Sequence, residues 1–336
     1  MAGGEERILR RRIKSVNSTK KITRAMELIA ATRIVKAQQR VAAARPYADQ
    51  ITNVIRSLAS SGAGAGQPLL TPKANVKTVA FIVCAGDRGL AGAYNSSVIR
   101  LAERALQAEV AAGRSYLLIA VGKKTEDYYK FRGYTVHTAF KGFTDNPTYE
   151  NARDIARCIQ GLFDAGEVDQ VELVYSQFLS AGSQRPVLRR FMPIEMDVAP
   201  ASAAATAGSA SGASAGYEFE PEPNAILSTL LPRYVESRLF AALLDAAASE
   251  HAGRQRAMKS ATENAGELVK KLSRQMNTAR QASITTEIME IVSGAEALKN
   301  ASSDLIPAQT HNPDLFQWHI NEAHKHQSAT DRKSVV

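Results

Sequence analysis

The chain has 336 residues, 45% of them hydrophobic, and a formal net charge of +9. That length allows two domains and a real buried core. No apolar run is long enough to cross a bilayer, and the charged N-terminus lacks the apolar stretch of a signal peptide. Cys84 and Cys158 have no metal-ligand or redox spacing, so they read as buried free thiols of a cytosolic chain.

The charge is concentrated at one end. Residues 1–56 hold 13 Lys and Arg against 4 Asp and Glu, whereas the remainder holds 29 of each. Clusters such as Arg10, Arg11, Arg12 and Lys14, or Lys20, Lys21 and Arg24, suit nucleic acid or an anionic surface. They suit equally the inner wall of an acidic protein channel, which holds a basic rod through its field without fixed pairs.

The first predicted element is a helix over residues 1–60. Ala30, Ile34, Ala37, Val41, Ala44, Ala48, Ile51, Ile55 and Leu58 follow at alternating spacings of four and three, the heptad stripe of a coiled coil. Pro46 inside it removes a backbone hydrogen bond, so a kink or local unwinding is expected there. The glycine-rich break from Ser60 to Gly66 ends the helix. An α/β domain over residues 75–198 follows. Lys77–Cys84 and Ser115–Val121 read as strands and Ser96–Ala112, Lys123–Arg132 and Thr148–Ala165 as helices, while Val171–Phe178 and Pro186–Ile194 read as a closing hairpin around Gly182. Alternation of strand and helix implies a largely parallel sheet.

Residues 199–216 are almost wholly Ala, Ser, Thr and Gly, a linker with nothing to pack. A second long helix is predicted over 224–300. Its seam reads as Met258, Ala261, Ala265, Leu268 and Leu272, then Ile284, Ile288, Ile291, Ala295 and Leu298. At roughly 1.5 Å per residue it is on the order of 110 Å long, far more than a compact core encloses. The chain therefore reads as a shaft. In an antiparallel pair Leu58 lies beside Leu227, Met26 near Lys259 and the N-terminus near Arg280. The apolar residues after Gln281 are then exposed unless a sleeve receives them. The tail over 301–336 carries His311, His319, His324 and His326 around Trp318, but its polar, proline-broken texture supplies no frame for a metal.

Chemistry is thinly represented. The turn Gly86-Asp87-Arg88-Gly89-Leu90-Ala91-Gly92 invites a phosphate-binding reading, yet it lacks both the G-x-G-x-x-G order and the Gly-Lys-Ser/Thr ending. Tight turning and close strand-to-helix packing explain it better. His137 and His251 stand alone, and no catalytic, cofactor-binding or metal-binding constellation is found.

Three segments point further: RRRIKSVNSTKKITRAMELIAATRIVKAQ near the N-terminus, the turn CAGDRGLAGAYN, and RQRAMKSATENAGELVKKL with ARQASITTEIMEIVSGAEAL near the C-terminus. Together they resemble the gamma subunit of bacterial F-type ATP synthases over roughly residues 5–298. The resemblance implies an antiparallel coiled coil of terminal helices with a small Rossmann-like α/β domain between them. It also implies the role of central rotor shaft, without catalysis or cofactor. The implied partners are the alpha and beta subunits of the catalytic hexamer, the epsilon subunit and the c-subunit ring, with an indirect, peripheral place at the cytoplasmic side of the cell membrane and no nucleic acid. By motif match Met26, Arg254, Gln281 and Thr285 fall where the family contacts beta, and Ile284, Ile288, Ile291 and Leu298 fall on the bearing tip. The residues alone keep two rivals in play, a basic coiled-coil nucleic-acid binder and a nucleotide-binding enzyme built on the middle domain. Few aromatics interleave with the N-terminal charges, which counts against the first.

Overall fold

The computed structural model describes residues 2–60, 67–73, 75–194 and 222–303. The predicted linker and the histidines around Trp318 lie outside the described residues. The chain divides into two compact units, the described parts of Met1–Ile13 with Lys270–Val336, and Lys14–Val269. Helix α1 spans Ala2–Ser60 and α5 spans Pro223–Ser303. Between them, in chain order, come β1 (Thr78–Cys84), α2 (Tyr94–Ala111), β2 (Ser115–Val121), α3 (Lys123–Phe131), β3 (Thr138–Phe140), α4 (Tyr149–Asp164), β4 (Gln170–Phe178) and β5 (Gln184–Met192).

In the larger unit the five strands form one sheet in the order β3-β2-β1-β4-β5. β1 pairs in parallel with β2 and β4, β2 in parallel with β3, and β5 closes the edge antiparallel to β4. Period-two alternation sends β1 to two cores. Val79, Phe81 and Val83 pack with Val98, Ile99, Ala102 and Leu106 of α2. Ala80, Ile82 and Cys84 share the opposite core with α4 and with Ile51, Ile55, Leu58, Leu227, Leu231 and Leu239 of the long helices. Burial pushes the Cys84 thiol up to about 12, so it stays an inert part of that core. Only β3 has no counterpart in the sequence reading. It is three residues long, too short for alternation to show, and its partner β2 supplies its order through the pairing of Ile119 with Thr138.

The long helices of this unit run antiparallel. Every residue of the predicted α1 seam from Ala30 to Leu58 is buried or half-buried, and the positions between are mostly exposed. The Oγ1 atoms of Thr23 and Thr262 meet at 2.8 Å, which fixes the register expected for Met26 and Lys259. Beside this pair Glu27 is buried and takes two bonds from Arg24 at 2.8 and 2.9 Å. A polar layer inside an apolar seam costs stability but selects one register, because a slipped pairing strands these groups without partners. The α5 seam departs from prediction at two positions, 261 and 268, and at the first the contact with Thr23 puts Thr262 on the seam. Leu268 is exposed and Val269 is half-buried, so the stripe runs Met258, Thr262, Ala265, Val269 at strict heptad spacing. Leu268 is the larger apolar residue, but it lies about 100° around the helix from Val269, which continues the stripe. Of the kink or local unwinding expected at Pro46, the unwinding does not occur: α1 is helical throughout Ala2–Ser60. Pro46 and Ala42 are both exposed, so water can satisfy the carbonyl that the proline leaves free.

In the smaller unit the same stripe continues through Leu272, Met276, Ala279 and Ser283, and a groove lined by Glu5, Leu9, Arg274, Thr278 and Ala282 marks where the start of α1 lies along α5. Beyond Ser283 α5 has no partner helix among the described residues. Ile284, Ile288, Ile291 and Leu298 are 48 to 74% exposed.

One titration is legible in this packing. Asp245 on α5 is half-buried, and desolvation pushes its carboxyl up to about 6 against the attraction of Arg189 and Arg45. A carboxyl whose folded pKa lies above its unfolded value of 3.8 destabilises fully above the folded pKa, and not at all below the unfolded one. Asp245→Asn should therefore add about 1–2 kcal/mol at pH 7.5 after allowance for solvent screening, with the gain vanishing by pH 4. Urea unfolding at the two pH values checks this, and a pH-independent gain would assign it to packing instead.

Candidate functional site

In an open α/β sheet, ligands enter at the carboxyl ends of the strands, where successive crossovers diverge. Here that place lies between β1 and β4, and the chain's own helix α5 occupies it. Ser249 Oγ donates to the Ser176 carbonyl of β4 at 2.9 Å. Gly253 passes so close to the turn after β1 that a Cβ on it would stand 2.8 Å from the Ala91 carbonyl oxygen. Arg254 Nη2 donates to the Gly89 carbonyl at 3.3 Å and to Glu250 Oε1 at 2.5 Å. An open hollow of about 500 Å³ remains beside this contact, lined by Tyr94, Ser97, Ser176, Gln184 and Arg256 among others.

The turn itself is held as a rigid object. Gly86 N–H donates to Asn95 Oδ1 at 2.8 Å, and Asn95 Nδ2 returns a bond to the Arg88 carbonyl at 3.1 Å. Gly86 packs closely under Glu250: a Cβ on it would stand 2.9 Å from the Glu250 carboxyl carbon, so that buried side chain would have to shift. Asp87 accepts from the backbone N–H groups of Lys123, Gly142 and Thr144 and from the Thr144 hydroxyl, at 2.9 to 3.1 Å. Burial alone would raise the Asp87 pKa, but these bonds outweigh it and lower the value, so Asp87 stays ionised as the knot of three loops. Leu90 sits at φ +62°, left-handed and costly for a residue with a Cβ, and is exposed. The glycines thus serve close packing and turning. The Gly86 amide is taken by Asn95 and the Asp87 amide by Thr144 Oγ1, and the helix packed against the turn holds the place of a nucleotide.

The predicted contact residues fall into different surroundings. Met26 is half-buried beside the Thr23–Thr262 layer, whereas Gln281 and Thr285 are exposed one turn apart on α5, joined by a 2.9 Å bond from Thr285 Oγ1 to the Gln281 carbonyl. Arg254 is only 9% exposed, so a direct contact with another subunit is not what its packing offers. Its guanidinium neutralises Glu250, a carboxylate with no exposure whose pKa desolvation raises and Arg254 lowers. Sequence reasoning missed Glu250, Gly253 and Asn95. A glycine within a long helix, at about 1 kcal/mol against alanine, was the available signal of close backbone approach.

The basic excess is partly spent at home. Arg10 pairs with Glu6, Arg24 with Glu27 and Arg33 with Asp145, and Arg40 donates to Asn146 and to the Pro147 carbonyl. Among the described residues no helix is long and apolar enough to cross a membrane, and no cluster of His, Cys, Asp or Glu is placed to hold a metal.

A family model described as ATP synthase matches residues 5–298. The chain is 45% identical over 312 residues to the ATP synthase gamma chain of Saccharopolyspora erythraea, covering 89% of this chain and 99% of that one. It is 48% identical over 304 residues to the gamma chain of Kineococcus radiotolerans, with the same coverage. Among solved structures it is similar in fold to a chain of the Euglena gracilis mitochondrial ATP synthase in its OSCP/F1/c-ring assembly, with a TM-score of 0.58 at 17% identity over 92% of this chain and 99% of that one. A chain of the central stalk and c-ring of the Tetrahymena thermophila enzyme gives 0.55 at 22% identity over 71% of this chain and 99% of that one. The antiparallel terminal helices, the α/β domain between them and these relatives agree, and the chain belongs to the ATP synthase gamma chain family.

Proposed function

We propose that the chain is the central rotor shaft of a proton-translocating ATP synthase. It carries torque between the ring of c subunits, turned by proton flow, and the beta subunits of the alpha/beta hexamer, with its α/β domain meeting the epsilon subunit and the ring. It performs no chemistry itself and attaches indirectly to the cytoplasmic face of the cell membrane. Within this family, the observation that carries the reading is the apolar row from Ile284 to Leu298, which the described chain leaves uncovered and which a sleeve of other subunits would bury. A shaft works by presenting different faces to identical neighbours, so that each neighbour's conformational equilibrium shifts by the difference in contact. Met26, Gln281 and Thr285 supply such contacts directly. Arg254 supplies one indirectly, by holding the turn that displays Leu90.

Met26→Lys tests this reading in the assembled complex. Lysine would lift an ammonium out of a half-buried site and let it seize a carboxylate of a beta subunit, and a charge-assisted bond of about 1.5–3 kcal/mol must then break at every step. ATP hydrolysis should persist while ATP-driven proton pumping falls by about tenfold, with Met26→Leu close to the parent. Equal loss of both activities would indicate misassembly and remove the coupling role of Met26.

A further inference from the structure

A second, smaller groove of about 290 Å³ lies between α1, α5 and the loop after β3. Arg33, Lys36 and Arg40 line it from α1, Asp145 and Asn146 from the loop, and His251 from α5. Asp145 is already neutralised by Arg33 at 2.7 Å, with Arg88 at 3.8 Å. Lys36 is exposed and has no hydrogen-bond or ion-pair partner among the described residues, so the groove keeps one uncommitted cationic donor beside the two arginines.

His251 asks for the opposite. It is 2% exposed, and Nε2 lies 3.0 Å from the Asp145 carbonyl oxygen. A carbonyl only accepts, so Nε2 carries the proton and, in the neutral ring, Nδ1 presents a lone pair. That Nδ1 is buried and has no partner. Desolvation first, with Arg254 and Arg33 adding to it, lowers the His251 pKa against the opposing pull of Asp145, which keeps the ring neutral near pH 7. A buried acceptor left unpaired beside an uncommitted lysine, in a groove that two further arginines line, is an unfinished site.

We propose that this groove binds a protonated oxyanion of the phosphate class. Its anionic oxygens accept from Lys36 and the arginine side chains, and its P–OH donates to Nδ1 of His251. Both ions of inorganic phosphate present near neutral pH keep at least one such hydroxyl. Sulfate has the same shape and comparable charge but no proton to give, so the site discriminates between the two by one hydrogen bond. Phosphate is also consumed in ATP synthesis, and on the rotor reading above its occupancy would place a reactant-sensing site on the shaft.

The test is calorimetric titration of the full-length chain with inorganic phosphate and with sulfate, at pH 7.5 and matched ionic strength. A binding readout on this chain alone does not depend on the rotor reading, so the two fail separately. Phosphate should bind saturably at one site, with sulfate weaker by about tenfold or more, because it leaves the buried lone pair unmet. His251→Phe should bring phosphate down to the sulfate level and leave sulfate unchanged, while Lys36→Met should weaken both. Equal affinities for the two ions in the parent chain, or no saturable binding of either, would overturn the proposal without recourse to any variant. So would a His251→Phe chain of parent-like circular dichroism that retained the preference for phosphate.

Discussion

Arg254→Met is expected to destabilise the chain by about 3–5 kcal/mol, because it leaves the Glu250 carboxylate buried without its counter-charge. Glu250 has no exposure, and its Oε2 already lacks a partner. Removing Arg254 takes away the charge and the hydrogen bond that lower the Glu250 pKa, so that pKa should rise further. A carboxyl with a raised folded pKa makes stability fall as pH increases from its unfolded value, here 4.5, toward its folded one. The cost of Arg254→Met should accordingly be greatest in alkaline buffer and shrink on acidification. Glu250→Gln in the same chain removes the uncompensated charge at little change of volume, and should restore most of the loss. Urea unfolding of the two single variants and the double variant across pH 5 to 8 gives the coupling directly. Additive losses, or a pH-independent cost, would show that Arg254 acts through packing of its stem.

The same residue shows where the sequence stops being readable. The motif around Arg254 points to a functional position, but nothing in one dimension says that Gly89 and Glu250 will close on its guanidinium. Periodicity is a local property, so it exposes the α1 seam from Ala30 to Leu58 and most strand and helix bounds. It fails where side-chain size and phase disagree, as at Leu268 and Val269. The Thr23–Thr262 layer was hidden for a related reason: threonine at a seam position scores as polar until its partner across the seam is known. β3 was hidden because three residues cannot establish a pattern. The seat of the turn on α5 joins residues about 160 positions apart, and only a lone glycine in a long helix hinted at it.

Replacing Ile288, Ile291 and Leu298 together by serine should separate the chain's own stability from that of its assembly. These side chains are 54, 71 and 74% exposed, so the isolated chain has little burial to lose and its unfolding midpoint should move only slightly. In the complex a sleeve would remove them from water. Each would then contribute roughly 1.5–3 kcal/mol, and about 5–8 kcal/mol would be lost in total. The expected result is an unchanged melting curve for the chain alone, together with marked loss of stable complex or of proton pumping in the enzyme recovered. Serine also has lower helix propensity than leucine, which costs a few tenths of a kcal/mol per site. Alanine at the same three positions keeps the helix and so isolates the burial term. If the alanine variant assembles and couples like the parent, the apolar row is not a bearing, and its exposure needs another cause. If both variants melt well below the parent as isolated chains, the row packs within this chain and the sleeve is unnecessary.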